Sequence, residues 1–188
     1  MNIVIFGPPG AGKGTQSRYI EKKFNLHQLS TGDLLRQEIN NKTELGNRIS
    51  SIIKKGHLVS DEIVTNLIKQ FISNDKFKNR LIFDGYPRNL EQAEKLNALL
   101  NENNQKISIV LKLSVGLETI KKRILERKNL ENRIDDSEKV AVKRFEMYEE
   151  NIKPVIEFYR NSNLLRLVNG EDSIAKINIK ISELIEGI

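Results

Sequence analysis

The chain has 188 residues, with 31 basic against 25 acidic side chains, two histidines and no cysteine. Its 38% hydrophobic and 30% charged residues exclude a wholly disordered chain and a membrane-embedded one, and the length suits one domain with its own core. Without cysteine there are no disulfides, thiol nucleophiles or thiolate metal sites, while the net charge of +6 favours polyanions, either nucleic acids or phosphorylated small molecules.

In chain order, residues 3–6 (Ile-Val-Ile-Phe) form a short β-branched run stopped by glycine and proline, which predicts a buried strand. A helix is expected over 15–24 and an extended segment over 26–29. Further helices are expected over 61–73, 90–100, 117–127 and 138–159. Further strands are expected over 81–83, 107–113 and 164–168. Strands separated by helices argue for a parallel sheet with helices on both faces, whose ligands gather at the carboxyl ends of the strands. The long intervals 30–80 and 117–163 leave room for inserted segments. No stretch approaches the ~18 apolar residues of a spanning helix. Met1 to Gly7 lacks the basic-then-apolar order of a secretory signal, so a soluble, cytoplasmic protein is expected.

Gly7-Pro8-Pro9-Gly10-Ala11-Gly12-Lys13 follows a predicted strand and opens a predicted helix, which is the P-loop arrangement. Small residues let backbone N–H groups wrap phosphate oxygens, the helix N-terminus adds partial positive charge, and Lys13 reaches the β- and γ-phosphates. Gly14 stands where Ser or Thr usually follows the lysine, so Thr15 must supply any hydroxyl. Asp84 closes an apolar strand in the manner of a Walker B carboxylate. It is either a turn former or a holder of Mg²⁺ through water, and the neighbouring P-loop favours the metal.

Two further stretches, Leu29-Ser30-Thr31-Gly32-Asp33-Leu34-Leu35-Arg36 and Phe83-Asp84-Gly85-Tyr86-Pro87-Arg88-Asn89, look like nucleoside monophosphate kinase signatures. With the P-loop, and with Asn132-Arg133-Ile134-Asp135-Asp136 and Lys153 to Tyr159, the chain resembles the adenylate kinases nearly end to end. The resemblance implies an α/β P-loop fold of three layers, with a five-stranded parallel sheet flanked by helices. It also implies two mobile parts within a single 1–188 domain: a nucleoside monophosphate-binding segment over 30–59 and a short lid over 126–136. The implied activity is reversible phosphoryl transfer from ATP to AMP, giving two ADP, with Mg²⁺ and no zinc, by a monomer.

Carried over by position, Gly10, Ala11, Gly12, Lys13, Gly14 and Thr15 cradle the ATP phosphates, with Arg127 and Asp172 also on the ATP side. Thr31, Arg36, Gly85, Tyr86, Pro87, Arg88 and Gln92 hold AMP, together with His57, Leu58 and Val59 largely through backbone; Gln92 reads the adenine edge. His57 replaces the lysine common in relatives, and Asp172 replaces a frequent glycine. Arg88, Arg123, Arg127, Arg133 and Arg144 match the family's arginines, with Arg133 and Arg144 also on the AMP side. Guanidinium forks suit a reaction that needs alignment and charge neutralisation more than a general base. Asp135 and Asp136 either latch the lid or cap the following helix, and Asp33 is divided between helix N-terminal charge and a water-mediated Mg²⁺ contact.

Three other readings compete. A UMP or CMP kinase would share the loop and the arginines, but Thr31 and the Gln92-Ala93 context resemble the adenylate branch. A regulatory GTPase is suggested by Asn41-Lys42-Thr43-Glu44, yet no strand leads into that stretch, and it reads better as a helix boundary. A nucleic-acid binder would suit the charge, but only 6% of residues are aromatic and none is Trp. No nucleic acid and no membrane are therefore expected among the partners.

Overall fold

The computed structural model describes residues 1–131 and 137–188, without the side chains of 129–131. Five strands, β1 (Asn2–Phe6), β2 (His27–Ser30), β3 (Leu81–Asp84), β4 (Ile107–Ser114) and β5 (Leu165–Asn169), pair in parallel in the order β2-β3-β1-β4-β5. β1 lies at the centre and all five of its residues are buried, as a strand covered on both faces must be. Its side chains alternate. Ile3 and Ile5 join Ile20, Ile177 and Ile181 on one face, while Val4 and Phe6 join Ile68, Leu96 and Tyr159 on the other.

The helices that supply those residues are α1 (Lys13–Phe24) and α8 (Ile174–Glu186) on the first face. On the second they are α4 (Asp61–Ile72), α5 (Leu90–Glu102) and α7 (Glu138–Asn161). Completing the described elements are α2 (Thr31–Asn40), α3 (Glu44–Lys54), a 3-10 turn at Asp75–Phe77 and α6 (Leu117–Glu131). The three-layer, five-stranded parallel fold is thus the one expected.

The differences in detail have local causes. The helix expected from Thr15 starts at Lys13, because Gly12 adopts a left-handed φ of 92° and turns the chain there. Helices α2 and α3 were foreshadowed only by Asp33 and the boundary at Asn41–Glu44, without ranges, and α8 was not expected. Each is announced by a hydroxyl cap that accepts a backbone N–H: Ser30 from Asp33, Thr43 from Gly46 and Ser173 from Lys176. Asn41-Lys42-Thr43-Glu44 is indeed a helix boundary, since it joins α2 to α3. At that junction Gly46 is obligatory: a Cβ there would lie 2.1 Å from the Glu38 carbonyl oxygen. Asn132, Arg133, Ile134, Asp135 and Asp136, and with them the second part of the expected lid, lie outside the described residues.

Candidate functional site

Beyond the carboxyl ends of β1, β2 and β3 opens a cavity of about 710 Å³. This is where an open parallel sheet places its ligands, because strand order reverses around β1. The loop from β1 to α1 forms its floor. Gly12 in that loop must be glycine, since its φ of 92° strains any residue with a Cβ. The turn delivers Lys13 into the first turn of α1, where its Nζ donates to the Gly7 carbonyl at 2.8 Å and to the Pro8 carbonyl at 3.1 Å. Burial lowers the Lys13 ammonium to about 8, against the opposing attraction of the Asp84 carboxylate.

Asp84 ends β3 and is buried, which pushes its carboxyl up from the ordinary carboxylate range despite Lys13 nearby. Its Oδ2 accepts from Gln28 Nε2 at 2.9 Å, while Oδ1 accepts no hydrogen bond among the described residues. A carboxylate oxygen left open at the wall of the large cavity, beside the phosphate loop, is the hard donor that Mg²⁺ prefers. The residues present therefore fit that ion. Among the described residues no group of three or more His, Asp or Glu is placed to hold a metal, and zinc chelation by cysteine is excluded by composition.

The arginines converge from four elements. On α6, Arg123 donates to the Gly170 carbonyl at 2.9 Å and to Ala11 at 3.4 Å, and Arg127 follows one turn later. Arg144 comes from α7. Arg88, after β3, donates Nε to the Gly85 carbonyl at 2.7 Å, and Arg36 on α2 pairs with Asp33. All five line the large cavity. Asp172 reaches it from the loop between β5 and α8, which Glu171 anchors by accepting the Gly116 N–H at 2.9 Å. That bond holds the Glu171 carboxyl below its usual range.

A smaller cavity of about 50 Å³ adjoins the first and shares Arg36, Leu58, Gly85, Arg88 and Arg144 with it. Thr31, His57, Val59 and Gln92 also line it, with Leu35, Ile53 and Val64 as its apolar side. The Thr31 hydroxyl donates to the Gly85 carbonyl at 3.1 Å. His57 is exposed on its outer side, with Lys143 Nζ 3.0 Å from Nε2. Of the site residues named from the sequence, Gly10 to Thr15, Thr31, Arg36, the 57–59 stretch, Asp84, Gly85, Pro87, Arg88, Gln92, Arg123, Arg127, Arg144 and Asp172 thus meet at two adjoining cavities. Tyr86 lies beneath them in the core, its hydroxyl 3.4 Å from that of Thr65. Arg133 lies outside the described residues.

Sequence reading missed several lining residues. Met147, Tyr148 and Asn151 continue the face of α7 that begins at Arg144, at spacings of three, four and seven residues; that periodicity was the available signal. The Tyr148 hydroxyl is buried without a hydrogen-bond partner among the described residues, and burial drives its acidity down sharply. Arg18 sits one turn beyond Gly14 on α1. Asp61 carried no motif; its role appears only through contacts with residues about thirty positions away.

A glycine-rich loop capping the central strand, its lysine at a helix start, a carboxylate on the adjacent strand and converging guanidiniums together define a P-loop protein of the phosphoryl-transfer class. The family model described as "Adenylate kinase" matches residues 5–164. An adenylate kinase of Pelagibacter ubique is 42% identical, covering 99% of this chain and all of that protein. Those of Flavobacterium psychrophilum and Bacteroides thetaiotaomicron are 35% and 38% identical, again over at least 98% of both chains. The chain belongs to the adenylate kinase family.

Proposed function

We propose that the chain catalyses reversible transfer of the γ-phosphoryl group of ATP to AMP, giving two ADP, and so balances adenine nucleotides. One observation carries this reading: two unequal cavities share a wall of arginines, the larger floored by the phosphate loop and the smaller lined by Thr31 and Gln92. That layout suits a donor triphosphate on one side, an acceptor monophosphate on the other, and the moving group between them.

Gly10 to Thr15 cradle the donor phosphates with backbone N–H groups, and Lys13 leaves the Gly7 and Pro8 carbonyls for phosphate oxygens. Arg88, Arg123, Arg127, Arg133 and Arg144 neutralise charge that builds on the phosphoryl group in flight, and Arg127 and Asp172 border the donor side. Thr31, Arg36, the 57–59 backbone, the 85–88 turn and Gln92 seat the acceptor. Asp84 would hold Mg²⁺ through water, and the ion would supply charge screening for the donor phosphates. No acidic group has to act as a base, because aligned cations and exclusion of water do most of what this reaction needs. The 30–59 segment and the 126–136 lid close over the two substrates. We assign ATP, AMP and ADP as partners, without nucleic acid or membrane, and a cytoplasmic monomer without zinc. Among the described residues no helix is long and apolar enough to cross a membrane.

The test is incubation with Mg²⁺, ATP and, separately, AMP, UMP, CMP and GMP, with chromatographic measurement of diphosphates. Conversion of AMP alone, reversible from ADP and abolished in Lys13→Met, is expected. Preference for a pyrimidine acceptor would overturn the roles given to Thr31 and Gln92 while leaving the arginine mechanism standing.

A further inference from the structure

Two backbone amides dictate how the side-chain amides at the smaller cavity are turned. The N–H of Arg88 donates to Gln92 Oε1 at 2.7 Å, and the N–H of Gln92 donates to Asn89 Oδ1 at 2.8 Å. A backbone N–H can only donate, so each side chain must present its oxygen there. Both NH₂ groups are thereby sent toward one place, where Asp61, the first residue of α4, accepts from the two. Gln92 Nε2 lies 2.6 Å from Oδ1, and Asn89 Nδ2 lies 2.8 Å from Oδ2. An ionised carboxylate only accepts. An amide in its place would bring a donor against a donor.

Gln92 is 2% exposed, yet it lines the cavity. With its orientation locked, one lone pair of Oε1 and one hydrogen of Nε2 remain for a ligand. Adenine offers a donor at its 6-amino group and an acceptor at N1. Hypoxanthine and guanine offer the reverse, an acceptor at O6 and a donor at N1. A freely turning amide serves either pattern, whereas a locked one serves a single pattern. We propose that Asp61 is a positioning residue for base selection, holding the Gln92 amide in the one orientation that pairs with adenine. The inference rests on the reading that Gln92 meets the acceptor base. The competing explanation is that Asp61 is merely a favourable charge at a helix N-terminus.

The experiment compares wild type, Asp61→Asn, Gln92→Ala and the double variant, measuring kcat and KM for AMP and for inosine monophosphate at saturating ATP, with a thermal melt of each. Asp61→Asn is expected to raise the KM for AMP about tenfold with a smaller change in kcat, and to lower the AMP-to-IMP ratio of kcat/KM about tenfold. In the Gln92→Ala background the same substitution is expected to change neither. Asp61→Ser, which suits a helix N-terminus, carries the same readout should Asp61→Asn not fold. An unchanged KM and ratio, or an equal effect in both backgrounds, overturns the proposal and leaves only the helix charge. A wild type that does not phosphorylate AMP overturns the assigned reaction itself, so the two failures are told apart.

Discussion

An ammonium buried beneath a phosphate site is poised to change its proton occupancy when an anion arrives. Lys13 titrates at about 8 in the free protein because burial disfavours its charge. Phosphate oxygens favour the charged form, so the bound value lies higher. The sign follows: as pH rises through about 8, the free protein gives up the Lys13 proton and nucleotide binding must take it back, so affinity falls. Calorimetry at about pH 9 in buffers of different ionisation enthalpy should therefore show proton uptake on nucleotide binding. Lys13→Met should abolish that uptake and lower kcat by at least about 10²-fold, the usual effect of removing a preorganised cationic donor.

At the scale of the elements, the two ends of the sheet do different work. The carboxyl ends carry the two adjoining cavities of the site, while at the amino ends a buried amide network ties the strands together. There Asn2 Oδ1 accepts the Leu81 N–H at 3.1 Å and its Nδ2 donates to Gln105 Oε1 at 3.2 Å. Gln105 Nε2 in turn donates to the Ile72 carbonyl at 2.8 Å, so β1, β3, α4 and the approach to β4 are tied at one point. Asn2→Ala strands these partners and should cost about 2–3 kcal/mol in urea denaturation while leaving KM for both nucleotides unchanged. Where α2 meets α3, Gly46→Ala drives a methyl into the Glu38 carbonyl. A loss of about 1–3 kcal/mol is expected, and an unchanged denaturation midpoint would show that the junction yields more easily than its spacing implies.

For the whole molecule, the net charge of +6 is concentrated in its effect by a cavity that gathers arginines from α1, α2, α6, α7 and the turn after β3. Charge attraction of this kind is screened by salt. Raising ionic strength from about 0.05 to about 0.5 M should raise KM for both substrates several-fold with a smaller effect on kcat. In the proposed reaction the 30–59 segment and the 126–136 lid close before transfer, since water is otherwise an acceptor. If reopening limits turnover, rapid mixing should reveal a product burst; equal single-turnover and steady-state rates would locate the slow step in the chemistry.

What the sequence determined by itself was whatever depends on neighbours along the chain. The β-branched run before Gly7, the loop that needs small residues at Gly10 and Gly12, the lysine at its end, and Arg123 with Arg127 one turn apart were all legible. Backbone conformation and helical spacing are local consequences of residue type. The hydroxyl caps at Ser30, Thr43 and Ser173 were also written there, and so was the helical spacing of apolar residues after two of them, such as Leu45, Ile49 and Ile52 or Ile177, Ile181 and Leu184, though these helices were given no range. Tertiary structure alone decided which distant groups share a wall. Asp61 accepts from Asn89 and Gln92 only because α4 packs beside α5, and Gln28 reaches Asp84 only because β2 pairs with β3. Such contacts join residues close in space and remote in the chain. No short motif encodes them, because the distance between their partners is set by the packing of the sheet and its helices.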